Sequence, residues 1–269
     1  MVFADLHVHT ENSDGELSLS AVPEAARAAD VSVVGVTDHD RFHPDLDAPV
    51  VSRDGVTIVH GIELRVETPE QRVDLLAYGL SPTPPLREAL DRLQRDRIDR
   101  ARTICSCLED RLGITLDVPL EAGVGRPHIA RSVVAHPETD FERIDDVFSG
   151  LIGDGDPCYV ARDVPDFQTG VDLLSGASAL VGLAHPLRYR DPVAALERCA
   201  SLDAVERYYP YDGQIGYETD VGPATVEEFV ERYDLLITGG SDAHDTALGT
   251  AGLSREEYAR IEDVLVSRS

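Results

Sequence analysis

The sequence contains no lysine. All 24 basic residues among its 269 are arginine, and they face 50 aspartates and glutamates for a formal net charge of −26. So negative a chain lacks the broad basic footprint that releases counterions from long nucleic acid, and no stable DNA binding is expected. Tryptophan is absent and methionine occurs once. No run approaches the roughly 18 consecutive apolar residues of a membrane-spanning helix, and the N-terminal MVFADLHVHT has no basic segment ahead of a long apolar one. The reading is an unsecreted, cytoplasmic protein with no membrane partner. Four cysteines, Cys105, Cys107, Cys158 and Cys199, make neither a disulfide framework nor a CxxC zinc pair. Cys105 and Cys107 stand two apart in a helix-like stretch and point to different faces, so free thiols are expected. Neither G-x-x-x-x-G-K-[ST] nor G-x-G-x-x-G occurs, which argues against nucleoside triphosphate chemistry.

What is present is 42% hydrophobic residues, enough for a core in one barrel-sized α/β domain or two small ones. The excess of carboxylates without lysine resembles the composition of cytoplasmic proteins from salt-adapted organisms, where it keeps the surface hydrated. No internal repeat or low-complexity segment interrupts the chain. Apolar strand-like runs at 2–8, 31–37, 56–64, 73–80, 179–185, 203–209 and 235–243 alternate with amphipathic helical stretches, the pattern of βα units in a largely parallel barrel or sheet. Residues 1–81 and 162–269 are assigned to the barrel. Between them, 82–161 read as a helical insertion covering its mouth, opened by a long helix on which Leu86, Leu90, Leu93, Arg97, Arg100 and Ile104 recur at helical spacing.

The histidines cluster at strand ends. In DLHVHT, His7 and His9 are two residues apart, so both imidazoles leave one face of an extended strand. SDG then places Asp14 in a turn, VTDHD ends in His39, GIE in Glu63, VGLAHP in His185, and GGSDAH sets Asp242 and His244 on one strand face. Carboxyl ends of parallel barrel strands converge on one mouth, so these scattered residues can meet there as metal ligands. Carboxylates and imidazoles without thiolates suit manganese, iron or zinc in a catalytic site. His43, His60 and His136 are read as structural or solvent-exposed.

DLHVHTENSDG, GVTDHD, GIE, AHP and GGSDAH, in that order, resemble the successive motifs of the PHP (polymerase and histidinol phosphatase) family of metal-dependent phosphoesterases. GRPHIAR followed by VFSGLIGDGDPCYV is similar to the subgroup of 3',5'-nucleotide bisphosphate phosphatases and 5'-to-3' exoribonucleases. The resemblance implies an α/β fold, a distorted seven-stranded β/α barrel holding two or three divalent ions. Manganese is expected first, with iron, zinc or magnesium as alternatives. It implies one ion on His7, His9, Glu63 and Asp242, another on Asp14, His39 and His244, and a third shared by Glu63, His185 and position 74. There the subgroup usually has histidine, but this chain has Asp74. Asp242 or His244 is the candidate proton carrier in catalysis.

Without lysine, every cationic side-chain contact to phosphate falls to arginine, whose planar fork pairs with phosphate oxygens. The resemblance implies that Arg97, Arg100, Arg126 and His128 contact the substrate phosphate that is not cleaved. The alternation in DRLQRDRIDR also fits a salt-bridge ladder on a solvated face, and His128 could instead ligate metal. Glu206, in DAVERYYP, is as consistent with support behind the ligands as with a direct role. The expected activity is hydrolysis of a phosphate monoester on a small nucleotide, with bisphosphonucleosides such as pAp first. The alternatives are 5'-to-3' trimming of short RNA, a histidinol-phosphate-type phosphatase, and a metal-binding regulatory module without turnover.

Overall fold

Alternation along the first strand sets the architecture. In β1(Ala4–Val8), Asp5 and His7, with His9 just beyond, alternate with Ala4, Leu6 and Val8, which enter the apolar clusters. The computed structural model describes residues 1–211 and 221–268 and divides the chain into two compact units, Met1–Glu88 with Val164–Ser269, and Ala89–Asp163. The first unit adds strands β2(Val33–Val36), β3(Val50–Arg53), β4(Val56–Glu67), β5(Arg72–Tyr78), β6(Leu180–Leu183), β7(Ala204–Tyr208) and β8(Leu236–Gly239). They pair in the order β1-β2-β4-β5-β6-β7-β8, with β3 hydrogen-bonded to β4 off that path. The end of β8 returns to β1, where the His9 amide donates to the Ala243 carbonyl. Glycine is required there, because a Cβ on Gly240 would lie 2.3 Å from the His7 nitrogen.

The seven strand runs read from the sequence coincide with the seven strands of this path, and the fold is a mixed α/β, TIM-like barrel. Two features differ from a largely parallel sheet. β3 adds an antiparallel partner to β4, and β5 runs antiparallel to both β4 and β6. The segment joining β4 to β5, residues 68–71, is too short for a crossover, which takes a dozen residues or more, so the two strands must form a hairpin. The consequence is functional: the hairpin sets Asp74, near the beginning of β5, opposite Arg65, two residues past Glu63 on β4.

Helices α1(Val22–Ala28), α2(Pro84–Leu112), α3(Arg126–Ala135), α4(Ile144–Val147), α5(Phe167–Ser175), α6(Pro192–Glu197), α7(Pro223–Tyr233) and α8(Arg255–Ser267) complete the described elements, with short irregular turns between them. Several starts are written locally. Asp166 and Asp191 cap α5 and α6, and Ser254 with Glu257 forms a reciprocal capping box on α8. In the second unit, Ile104, Leu108, Ile129, Val133, Val147 and Ile152 make a separate apolar core.

The expectation of free thiols is corrected for one pair. Cys107 and Cys158 form a disulfide with a Cα–Cα separation of 5.6 Å, whereas Cys105 and Cys199 are free and buried. The two helical cysteines do face different ways, Cys105 into the core cluster and Cys107 toward Cys158. No spacing rule links residues 51 apart in sequence. Closing a loop of that length constrains the unfolded chain, so Cys158→Ser should cost roughly 2–4 kcal/mol. Denaturant midpoints under oxidising conditions check this, and equal midpoints for variant and parent would contradict it.

Candidate metal centre

At one end of the barrel the structure brings nine predicted ligands into three groups: His7, His9, Glu63 and Asp242; His9, Asp14, His39 and His244; and Glu63, Asp74 and His185. Strand ends supply most of them. His7 and His9 come from β1, His39 follows β2, Glu63 lies in β4, His185 follows β6, and Asp242 and His244 follow β8. His185 (φ 27°) and Asp242 (φ 53°) both adopt left-handed backbone. Non-glycine residues there cost of order 1 kcal/mol or more, a strain that recurs where side chains are aimed into a site. Asp14 is set by its loop: Asp38 accepts hydrogen bonds from Thr10, Asn12 and Ser13, shaping the turn that bears it.

The first group fits a divalent ion. His7 Nε2 lies 3.5 Å from Glu63 Oε2 and 3.4 Å from Asp242 Oδ1, and His9 Nε2 lies 3.4 and 3.0 Å from the same two oxygens. Four ligands at about 2.1 Å around a tetrahedral ion are about 3.4 Å apart, so these edges match a metal shell. His7 Nε2 is buried with no hydrogen-bond partner, as a ligand atom aimed at a cation should be. In the second group, Asp14 Oδ1 lies 3.9 Å from His39 Nε2 and 3.5 Å from His244 Nε2, with the His9 ring stacked against His244. The set expected as Asp14, His39 and His244 therefore gains His9 within reach. The third group does not fit as well: both oxygens of Asp74 are taken by the Arg65 guanidinium, at 2.7 and 2.6 Å.

Charge at the mouth is arranged for cations. Burial works against ionising Glu63, Asp14 and Asp242, yet neighbouring histidines hold all three carboxyls well below their usual range. Burial also opposes a charge on His7, but Glu206, Asp242 and Glu63 outweigh it and push its pKa well above 6.5. Without a cation, these carboxylates favour the protonated imidazole of His7, so an ion competes with a proton there. Metal affinity should weaken as pH falls, by roughly tenfold per pH unit for each proton displaced. Calorimetric titration of Mn²⁺ in buffers of different ionisation enthalpy measures the protons released. None released at pH 7 would contradict this reading of His7.

Behind the ligands, Glu206 presents its carboxylate to His7 Nδ1 at 3.1 and 3.3 Å and accepts the His185 amide at 2.7 Å. A carboxylate so placed would fix the His7 imidazole as a metal ligand. Sequence reasoning missed Arg188 and Tyr209. Arg188 Nη1 lies 3.0 Å from Asp242 Oδ2, and the Tyr209 hydroxyl donates to the same oxygen at 2.8 Å. The dipeptide step from AHP to Leu-Arg is the only sequence cue to Arg188.

In the second unit, considered alone, Arg97 and Arg100 lie on the buried stripe of α2, and the alternative of a solvated ladder fails for both. It does hold for Arg102, which is exposed and paired with Asp99. Arg97, Arg100 and Arg126 donate to the carbonyls of Val124, Val160 and Ile152. Burial, then Arg126, Arg162 and Arg97, lower the Arg100 pKa to about 9. Arg162, not anticipated from sequence, thus joins a cluster of like charge. His128 Nδ1 accepts the Gly125 amide at the start of α3, and His128 is in no ligand group among the described residues. His43 and His60 are buried and His136 is half-buried, also outside those groups.

A ligand-rich barrel mouth of this kind defines a metal-dependent hydrolase. Residues 5–144 match the model of the PHP domain, and the chain belongs to the PHP domain family. It is 27% identical over 96% of its length to a 3',5'-nucleoside bisphosphate phosphatase of Chromobacterium violaceum, covering 92% of that protein. It is also 27% identical to a 5'-3' exoribonuclease of Haemophilus influenzae, over 69% of each chain. In fold it is similar to a protein of Bifidobacterium adolescentis assigned as a metal-dependent phosphoesterase, with a TM-score of 0.79, 22% identity, and 98% and 96% of the two chains covered. The protein is a metal-dependent phosphoric ester hydrolase. No described helix is long and apolar enough to cross a membrane.

Proposed function

We propose that this protein removes a phosphate from a small nucleotide, with 3',5'-bisphosphonucleosides of the pAp type as substrate and the 5'-monophosphate as product. The observation that carries the reading is the cation-holding mouth of the barrel, where nine carboxylate and imidazole side chains converge in three groups. The end-to-end similarity to the bisphosphate phosphatase supports the same substrate class.

His7, His9, Glu63 and Asp242 would hold one divalent ion, and Asp14, His39 and His244, with His9, a second; Mn²⁺, Fe²⁺ or Zn²⁺ suits this oxygen and nitrogen set, and Mn²⁺ is the first choice to test. Such ions supply a water acidified to react at neutral pH and neutralise the phosphoryl oxygens. The residues contribute the rest. Glu63 reaches both groups, because its Oε2 also lies 2.8 Å from His39 Nδ1, and so ties their positions together. Arg188, beside Asp242 and partly exposed, meets a phosphoryl oxygen. As water oxygen bonds to phosphorus and the phosphorus–sugar oxygen bond breaks, the leaving oxygen takes a proton, for which Asp242 or His244 is the carrier. Arg97, Arg100, Arg126 and Arg162 bind the uncleaved phosphate, with His128 beside them at the start of α3.

Release of 5'-monophosphates from the 5' end of short RNA is the second reading, favoured by the similarity to exoribonucleases. Comparing phosphate release from pAp with nucleotide release from a 5'-phosphorylated oligomer in Mn²⁺ separates the two. Faster turnover of pAp supports the proposal, and activity confined to the oligomer overturns it. A cytoplasm of high salt is the setting the composition supports. There the Cys107–Cys158 bridge would form against a reducing pool, which is otherwise rare in cytosolic proteins.

A further inference from the structure

Of the three groups of ligands at the mouth, one already has a cation belonging to the chain. Arg65 and Asp74 stand directly opposite each other in the antiparallel register of β4 and β5, so their side chains leave the sheet on one face. The contact is a full fork: Arg65 Nε donates to Asp74 Oδ1 at 2.7 Å and Nη2 to Oδ2 at 2.6 Å. Asp74 is buried, and its backbone amide is held by the Tyr189 hydroxyl at 2.8 Å, so the carboxylate has little freedom to turn away. Its Oδ2, one of the two oxygens in the fork, lies 3.8 Å from His185 Nε2, and His185 Nε2 is in turn 3.0 Å from Glu63 Oε1. A third ion would have to sit among these three groups, using an oxygen already bound by a guanidinium that cannot shed its charge.

We propose that the Arg65 guanidinium, forked onto Asp74, takes the place of a third divalent ion, and that this protein works with two ions per chain. The inference rests on the metal-dependent reading of the mouth but not on the substrate. Arg65 acts as a fixed monocation and Asp74 as its counter-ion. The pair carries no net charge, so the loss of a divalent ion from this corner leaves no buried carboxylate uncompensated. Glu63 and His185 keep their mutual contact, and Glu63 still serves the first two groups.

The test is a count of bound Mn²⁺ by elemental analysis after equilibrium dialysis of the full chain, repeated over rising free Mn²⁺. The parent should plateau at two ions per chain. Arg65→Met, which keeps length and removes charge, should rise to three, and Arg65→Lys, which retains a cation at the same place, should remain at two. A parent plateau of three overturns the proposal, as does a folded Arg65→Met that stays at two. If Arg65→Met fails to fold by circular dichroism, the parent plateau decides alone. The count needs no substrate, so a chain that binds two ions and releases no phosphate from nucleotides would overturn the substrate proposal and leave this one standing.

Discussion

Glu63→Ala should abolish phosphate release and leave the protein unable to retain a full complement of metal. Its two oxygens face His7 and His9 on one side, His39 on another and His185 on a third, at 2.8 to 3.5 Å. Removing it takes a ligand from the first group and the link to the second. It also leaves four buried or half-buried imidazoles, those of His7, His9, His39 and His185, without the carboxylate that faces them. Loss of an outer-shell partner alone costs 10–100-fold in metal proteins, so loss of a shared inner ligand should exceed about 100-fold in activity. Metal analysis and phosphate release on the same preparation check the result. A variant with undiminished metal and turnover within a few fold of the parent would show that Glu63 is not where the centre is organised.

Glu206→Gln probes the layer behind. The substitution keeps the shape but gives an amide in place of the carboxylate that faces His7 Nδ1 and accepts the His185 amide. The Nδ1 proton of His7 would lose a charged acceptor, so the imidazole would be a poorer and less fixed ligand through Nε2. The expected cost is about 10–100-fold in Mn²⁺ affinity, with turnover at saturating Mn²⁺ less affected. Titrating activity against free Mn²⁺ separates the two effects. An unchanged Mn²⁺ midpoint would place Glu206 in a purely packing role. The sequence reading, which weighed support against a direct function for this residue, is narrowed by geometry: among the ligands, its contacts are to His7 and His185.

Much of the centre is legible in the chain because a strand repeats every two residues. DLHVH puts two ligands on one face without any knowledge of the fold, whereas Asp242 and His244, read as a pair on one strand face, follow the end of β8 with Asp242 in left-handed backbone and fall in different ligand groups. The strand runs are equally readable, since each is a short β-branched or leucine-rich segment closed by a polar residue. What escaped depends on partners distant in sequence. The hairpin of β4 and β5 is absent from the sequence reading of a largely parallel sheet, and the pairing of Arg65 with Asp74 appears only once the register is known. Arg188 and Arg162 carry no motif of their own, and they matter because other elements bring Asp242 and Arg100 beside them. The disulfide joins a helix to a segment 51 residues away and has no local signature. Arg97 and Arg100 show the converse: their place on the apolar stripe of α2 was visible in the spacing, and their burial confirms that the stripe governs which way they point.

The central claim, that cations held at the barrel mouth hydrolyse a phosphate ester of a small nucleotide, is tested most directly by phosphate release from pAp. The protein is stripped with chelator and titrated with Mn²⁺, the parent beside Asp242→Ala. Asp242 is the one ligand that faces His7, His9, Arg188 and Tyr209 together. The account predicts no release from the stripped parent, recovery that saturates as Mn²⁺ is added, and release from Asp242→Ala that remains lower by more than about 100-fold at every Mn²⁺ concentration. Release that persists in chelator, or an Asp242→Ala variant with full metal and the parent's rate, would contradict it.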